Sequence, residues 1–146
     1  MEEKKAPKCK DTPQCFWYPK DSFPMEVEVY RWVEHVDRVT ADDFLSLYDL
    51  DKRRGKDTSR NVNKDTYYGV STFEDYEDAL NLPKKVPAKK RHLKAISIGS
   101  TKVQDGIVRR TPSCISGQSH LTWWLFATAT PETYFQIVDG ENENNE

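Results

Sequence analysis

The stretch from residue 26 to residue 34 reads EVEVYRWVE and determines what kind of sheet this chain can build. Every second position is apolar apart from one arginine: Val27, Val29, Arg31 and Val33. The intervening positions carry Tyr30 and Trp32 between glutamates. A period of two places the two sets on opposite faces of an extended chain, so the stretch predicts a strand with two different faces.

Two short helices are predicted downstream of this strand. The first begins at Thr40, where Asp43 completes a capping box three residues later. The second follows Ser71 and Thr72, which are alternative N-caps, and it ends at Pro83. Further strands are predicted over residues 67–70, 93–98, 107–111, 121–127 and 133–138. Helices and strands in this order predict a single compact α+β domain with a mixed, mainly antiparallel sheet and two or three short helices.

The length and composition indicate one globular domain with irregular ends. The chain has 146 residues, of which 36% are hydrophobic and 32% are charged. Residues 1–24 are rich in proline and contain Phe16, Trp17 and Tyr18, so we expect an ordered strap lying across the domain. Residues 25–138 form the predicted domain, and residues 139–146 a disordered acidic tail.

The charge pattern favours neither nucleic acid nor a membrane as partner. Lys and Arg total 22 against 24 Asp and Glu, which gives a net charge of −2. The basic residues within 52–64 and 84–94 are therefore expected to be solvated loops, although such stretches can also bind phosphate backbones. The chain has no apolar run long enough to span a bilayer and no apolar segment typical of a signal peptide, so we expect a cytoplasmic protein.

The three cysteines predict neither a disulfide framework nor a zinc site. Cys9, Cys15 and Cys114 are an odd number at spacings unlike those of metal ligands. Cys9 and Cys15 could pair in an oxidising compartment, but we expect reduced thiols. No metal site is predicted.

Arg31 is the most informative residue because it occupies the valine-lined face of the first strand. A charge there is costly unless it has a partner. One interpretation is a strand-end arginine that pairs with a carboxylate or extends to the rim of the sheet. The other is a guanidinium at the floor of a cleft, where its planar fork would hold a phosphate or carboxylate.

The segment from Gly69 to Thr72 is a second candidate for binding a cofactor. Gly69 permits close approach of a ligand or of neighbouring backbone. The hydroxyls of Ser71 and Thr72 would sit at the N-terminus of a helix, which attracts anions. Ordinary helix capping explains the same residues equally well.

His120 is a third candidate, since it opens the most apolar strand after a flexible segment. A histidine at the mouth of a strand can serve as acid, base or hydrogen-bond donor near neutral pH. A purely structural histidine fits the same pattern.

Arg31 on an early strand, followed by Ser71-Thr72-Phe73 before a helix, resembles the spacing of small ADP-ribosyltransferase-like domains of the Arg–Ser type. The resemblance covers two short stretches, and it implies NAD as cofactor, with Arg31 on its phosphates and the Ser-Thr pair shaping the nicotinamide pocket. The family also has a late catalytic glutamate in a Glu/Gln-x-Glu motif, and no such motif occurs late in the predicted domain of residues 25–138. Glu132 is a late carboxylate outside such a motif, and His120 would be an unusual substitute.

The residues together support two hypotheses about function. In the first, Arg31, Ser71 and His120 line one cleft that binds a phosphate-bearing, NAD-like ligand, with His120 or Glu132 supplying acid–base or electrostatic help. In the second, the domain is a non-catalytic protein-interaction module whose partner surface is formed by aromatic side chains, namely the Phe16–Tyr18 strap, Trp32, Trp123 and Trp124.

Overall fold

The computed structural model describes residues 19–61, 64–85, 93–114 and 116–140. Six strands form one sheet in the order β4-β5-β2-β1-β3-β6, and each neighbouring pair is antiparallel. The strands are β1 Glu28–Val33, β2 Val70–Phe73, β3 Ala95–Ser100, β4 Gly106–Arg110, β5 His120–Leu125 and β6 Gln136–Gly140. The helices are α1 Leu47–Arg53 and α2 Tyr76–Lys85. The predicted α+β fold class, with a mainly antiparallel sheet and short helices, is confirmed.

The alternation in β1 buries both faces of the central sheet. Val29 and Val33 are wholly buried on one face. Tyr30 and Trp32 lie on the other face, where they pack in the cluster that α2 forms with the sheet through Ala79. The predicted strand over residues 26–34 is therefore present, but its regular part is shorter.

The helix predicted to start at Thr40 is wrong in its extent. Residues Ala41–Phe44 form only a 3₁₀ turn, closed by the predicted box in which the Thr40 N–H donates to Asp43 Oδ2 over 2.8 Å. The same carboxylate accepts from the N–H of Glu34 at 3.0 Å, which fixes the turn to the end of β1. The chain then extends at residue 45, and a second capping box at Ser46 starts α1.

The prediction that Ser71 and Thr72 cap a helix is also wrong. Both residues lie inside β2, which pairs with β5 along its whole length, from Val70 with Trp123 to Phe73 with His120. The local capping pattern is overridden because β5 offers a buried partner strand that pairs with all four residues of β2. Ser71 and Thr72 therefore lie outside any helix N-terminus, and the anion site predicted there has no helix behind it.

Pro83 does not end α2 where the sequence predicts, because the helix continues to Lys85. A proline inside a helix leaves the carbonyl four residues earlier without its usual N–H donor. That carbonyl belongs to Ala79, and it accepts a hydrogen bond from the indole Nε1 of Trp32 at 2.6 Å. A tryptophan on β1 therefore compensates for the proline on α2.

The part of the N-terminal strap that the structure describes lies along β4. Phe23 and Val108 exchange backbone hydrogen bonds of 2.9 Å in both directions. The Asp21 carboxylate accepts from the Arg109 guanidinium at 2.8 Å. The residues Phe16 to Tyr18, Cys9, Cys15, the 141–146 tail and most of the basic stretch over 84–94 lie outside the described residues.

The expected aromatic partner surface is wrong for two of its members. Trp123 and Trp124 are both fully buried, Trp123 among the apolar side chains of one sheet face and Trp124 against Tyr67 and Tyr68 on the other. The side chains of Trp123 and Trp124 therefore contribute to the core of the domain and are inaccessible to a partner protein.

Within the described residues, neither helix combines the length and apolar character that crossing a bilayer requires. The same residues contain no group of three or more His, Cys, Asp or Glu side chains arranged to hold a metal ion.

Candidate anion-binding pocket

An open cleft of about 780 Å³ lies where β1 and β2 separate. Between these two fully described strands, only Tyr30 and Phe73 are paired. Beyond that pair, Arg31 and Trp32 from β1 and Ser71 from β2 line the cleft. Residues 61, 64, 66 and 67 and residues 111–113 and 116 supply further parts of the wall, with leucines from the α1 region.

Arg31 bridges the gap between the two strands with its guanidinium. Its Nε donates to the backbone carbonyl of Asp43 and its Nη1 to the carbonyl of Ser71, both at 2.7 Å. The guanidinium carbon lies 5.7 Å from the centre of the Phe44 ring, within range of a cation–π contact. Burial lowers the pKa of Arg31 to about 10, although the Asp43 carboxylate opposes that shift. The group therefore stays charged at neutral pH.

No carboxylate pairs with Arg31 among the described residues, and its Nη2 makes no hydrogen bond there. Among the described residues, Arg31 is therefore not an ion-paired strand-end arginine. Part of its fork is used on two carbonyls, and the rest lies at the cleft.

His120 lies at the same cleft with its ring held from one side. Its Nδ1 is 3.0 Å from the Thr111 carbonyl and 2.7 Å from the Thr111 hydroxyl. That hydroxyl is in turn 2.8 Å from the hydroxyl of Thr122. Burial lowers the pKa of His120, and the charge of Arg31 lowers it further, while the Thr111 hydrogen bond opposes the shift. The imidazole is therefore neutral at pH 7.

Strand alternation alone would keep Arg31 and His120 apart. Arg31 projects on the face of Val29, whereas His120 pairs with Phe73 and packs its ring 5.3 Å from the Phe73 ring on the other face. Because β1 and β2 separate here, the guanidinium of Arg31 can extend between the two strands to the Ser71 carbonyl. Both side chains then line one cleft.

Gly69 and Ser71 also line the cleft, but for different reasons. A Cβ on Gly69 would lie 2.4 Å from Thr122 Cγ2, so the glycine is required by packing against β5. Ser71 is exposed, and its hydroxyl makes no hydrogen bond with the described residues.

Thr72 and Glu132 are not brought to this cleft. Thr72 is fully buried, and its hydroxyl donates to the Leu121 carbonyl at 2.9 Å. Glu132 lines a separate cavity of about 250 Å³ together with Asp49. Leu45 and Val70 border both cavities, so the two lie close together on opposite sides of these residues.

The two cavities have opposite charge. Arg31, Lys64 and His120 are the ionisable nitrogen groups among the described residues that line the larger cleft, and its described lining contains no aspartate or glutamate. The smaller cavity has two carboxylates and no Lys, Arg or His among its described lining residues. An anion would therefore be attracted to the larger cleft.

Sequence reasoning missed the roles of Lys64 and Thr111. Lys64 belongs to the basic stretch over 52–64 that was expected to be a solvated loop, and its position gives no signal that it lines the cleft. Thr111 follows β4, and only its pairing with β5 puts it beside His120.

Comparisons with models of protein families, with curated proteins and with solved structures find no match to this chain. The resemblance to ADP-ribosyltransferase-like domains therefore stays a prediction from two short stretches.

Proposed function

We propose that the cleft between β1 and β2 binds a small ligand that carries a phosphate group, with Arg31 as its anchor. The observation that carries this proposal is a guanidinium whose Nη2 makes no hydrogen bond with the described residues, in a cleft whose described lining contains an arginine and a lysine and no carboxylate. Asp43 offsets part of the charge of Arg31 from outside the cleft, and an anion bound at Nη2 would offset more of its desolvation cost.

The remainder of the cleft suits the organic part of such a ligand. Trp32 is half-buried and contributes aromatic surface, and the volume of about 780 Å³ is within the range of ordinary ligand sites. NAD and ADP-ribose are therefore sensible first probes beside inorganic phosphate. The proposal is for binding and not for transfer, because a carboxylate expected for transferase chemistry is absent from the described lining.

The test is ligand-induced thermal stabilisation of the full chain, followed by titration calorimetry with phosphate, ADP-ribose and NAD. A ligand at 100 times its dissociation constant adds about 2.7 kcal/mol, which raises the melting temperature by about 5–10 °C for a chain of this size. We expect this shift to be lost in Arg31→Met.

Two control variants make the result specific. Arg38→Gln removes an exposed positive charge that pairs with Asp37 at 3.1 Å outside the cleft, so it should bind the ligand like the wild type. Lys64→Gln removes the second cation of the cleft and should weaken binding without altering the hydrogen bonds of Arg31. Equal loss in Arg38→Gln and Arg31→Met would mean non-specific attraction, and no shift with any ligand would overturn the proposal.

A further inference from the structure

The contacts of Nδ1 indicate which ring nitrogen of His120 carries the proton. A backbone carbonyl can only accept, so the 3.0 Å contact between Nδ1 and the Thr111 carbonyl favours the tautomer with its proton on Nδ1. The Thr111 hydroxyl can accept from the same N–H and donate onward to Thr122. In the neutral ring, Nε2 then has a free lone pair.

This lone pair is unused within the described chain. His120 is 8% exposed, and its ring hydrogen bonds and ring contacts with the described residues involve only Nδ1 or the Phe73 ring, so Nε2 is left to whatever occupies the cleft. The residue lines the cleft that also contains Arg31. An unpaired acceptor in such a place favours a ligand that brings a donor to it.

We infer that His120 determines specificity through Nε2, which accepts a hydrogen bond from a ligand hydroxyl while Arg31 binds the phosphate of the same molecule. The ligand class is then a phosphate ester with free hydroxyl groups, such as a polyol phosphate or sugar phosphate. This inference rests on the proposed function, because it requires the phosphate to be held in the same cleft.

Other groups of the cleft are consistent with a polyhydroxyl ligand. The hydroxyls of Thr66, Ser71 and Ser116 line it without a hydrogen bond to the described residues, and Asn61 adds an amide. Such short polar groups satisfy sugar hydroxyls, whereas a purely apolar ester would leave them and Nε2 without partners.

The experiment compares glycerol 3-phosphate with propyl phosphate by titration calorimetry of the full chain. The two molecules have the same charge and the same number of carbons, and only the first has hydroxyl groups. We expect glycerol 3-phosphate to bind up to about tenfold more tightly, since the net gain from one hydrogen bond reaches about that factor.

Two variants assign the preference to Nε2. In His120→Asn the amide can still donate to the Thr111 carbonyl but no acceptor reaches the position of Nε2, so the tenfold preference should disappear. In His120→Gln the amide oxygen can reach that position, so part of the preference should remain. The ¹⁵N resonance of Nε2 in the wild type gives an independent readout, and it should move with glycerol 3-phosphate far more than with propyl phosphate.

The outcomes separate this inference from the proposed function. Equal, Arg31-dependent binding of both esters would overturn the role of His120 and leave phosphate binding intact. A tenfold preference that survives His120→Asn, with no movement of the Nε2 resonance, would place hydroxyl recognition elsewhere. Failure of both esters to bind would overturn both proposals.

Discussion

Gly69→Ala is expected to destabilise the protein even though the extended backbone of Gly69, directly before β2, ordinarily accepts alanine. The new Cβ would lie 2.4 Å from Thr122 Cγ2 and 3.1 Å from Trp124 Nε1. Neither neighbour can move freely, because the Thr122 hydroxyl is 2.8 Å from the Thr111 hydroxyl and Trp124 Nε1 donates to the Asp65 carbonyl at 3.0 Å. The substitution therefore forces overpacking in a buried place.

The expected loss can be worked out from two opposing effects. Overpacking of a core costs about 1–3 kcal/mol. Replacing glycine by alanine restricts the unfolded chain and returns about 0.4–1 kcal/mol. The net loss of about 1–2 kcal/mol corresponds to a fall in melting temperature of about 2–8 °C, measured by circular dichroism or calorimetry.

A double-mutant cycle tests the assigned clash. Thr122→Ser removes the Cγ2 methyl and keeps the hydroxyl, so Gly69→Ala should cost less in that background, by about 1 kcal/mol. Ser71→Ala, two residues later, is the matched control, because Ser71 is exposed and lines the same cleft; the stability of this variant should stay within about 0.5 kcal/mol of wild type. A Gly69→Ala variant as stable as wild type, or strictly additive effects with Thr122→Ser, would refute the packing argument.

Three further predictions concern stability. Burial lowers the pKa of His120 in the folded state below the unfolded value of about 6.5, so the neutral ring stabilises the fold above pH 6.5 and this contribution falls as the pH drops. In urea titrations, His120→Asn should therefore lose less stability than wild type between pH 7 and pH 5. The pKa of Tyr67 is raised to about 12, so the stability that its neutral hydroxyl contributes to the fold is present below pH 10 and is lost as the pH rises toward 12. Tyr67→Phe should therefore flatten the alkaline limb of the curve of stability against pH. A curve identical to that of wild type would contradict the raised pKa. Arg109 donates two hydrogen bonds of 2.8 and 2.9 Å to Asp65 at a half-buried place, so Arg109→Met should lower the free energy of unfolding in urea by about 1–3 kcal/mol. The side chain of Arg110 is 54% exposed, so Arg110→Met should lower it by less than about 1 kcal/mol.

Alternation predicted β1, a run apolar on both faces predicted β5, and the order of helices and strands predicted the fold class. Burial of one or both strand faces follows directly from local sequence. The helix starts were less predictable, because Thr40 and Ser71 carry good capping patterns that the structure uses differently. Asp43 is shared with the end of β1, and Ser71 is drawn into a pairing with β5. Pro83 shows the same limit, since only the distant Trp32 makes a helix through it acceptable.

Only some members of the cleft were predictable, and its shape was not: Thr72 and Glu132 lie outside it, and the positions of Lys64 and Thr111 were missed. Arg31, Ser71 and His120 were expected to share a cleft, and all three line one. These residues come together because β1 and β2 are paired only at Tyr30 and Phe73 and separate beyond that residue pair. No local pattern encodes where two strands stop pairing, because that depends on the turn at residues 41–44 and on the partners of β2.

The structural and functional interpretations of Arg31 are compatible, because a guanidinium has five N–H donors. Two of them satisfy the carbonyls of Asp43 and Ser71, which stabilises the opening between the strands. The remaining donors, including both on Nη2, have no partner among the described residues and are available to an anion. Arg31→Lys separates the two duties, since a single ammonium keeps the charge but cannot reproduce the fork. We expect this variant to lose stability through an unsatisfied carbonyl and to bind phosphate more weakly than wild type but more strongly than Arg31→Met. Binding equal to wild type would show that charge alone attracts the anion and that the geometry of the fork plays no part.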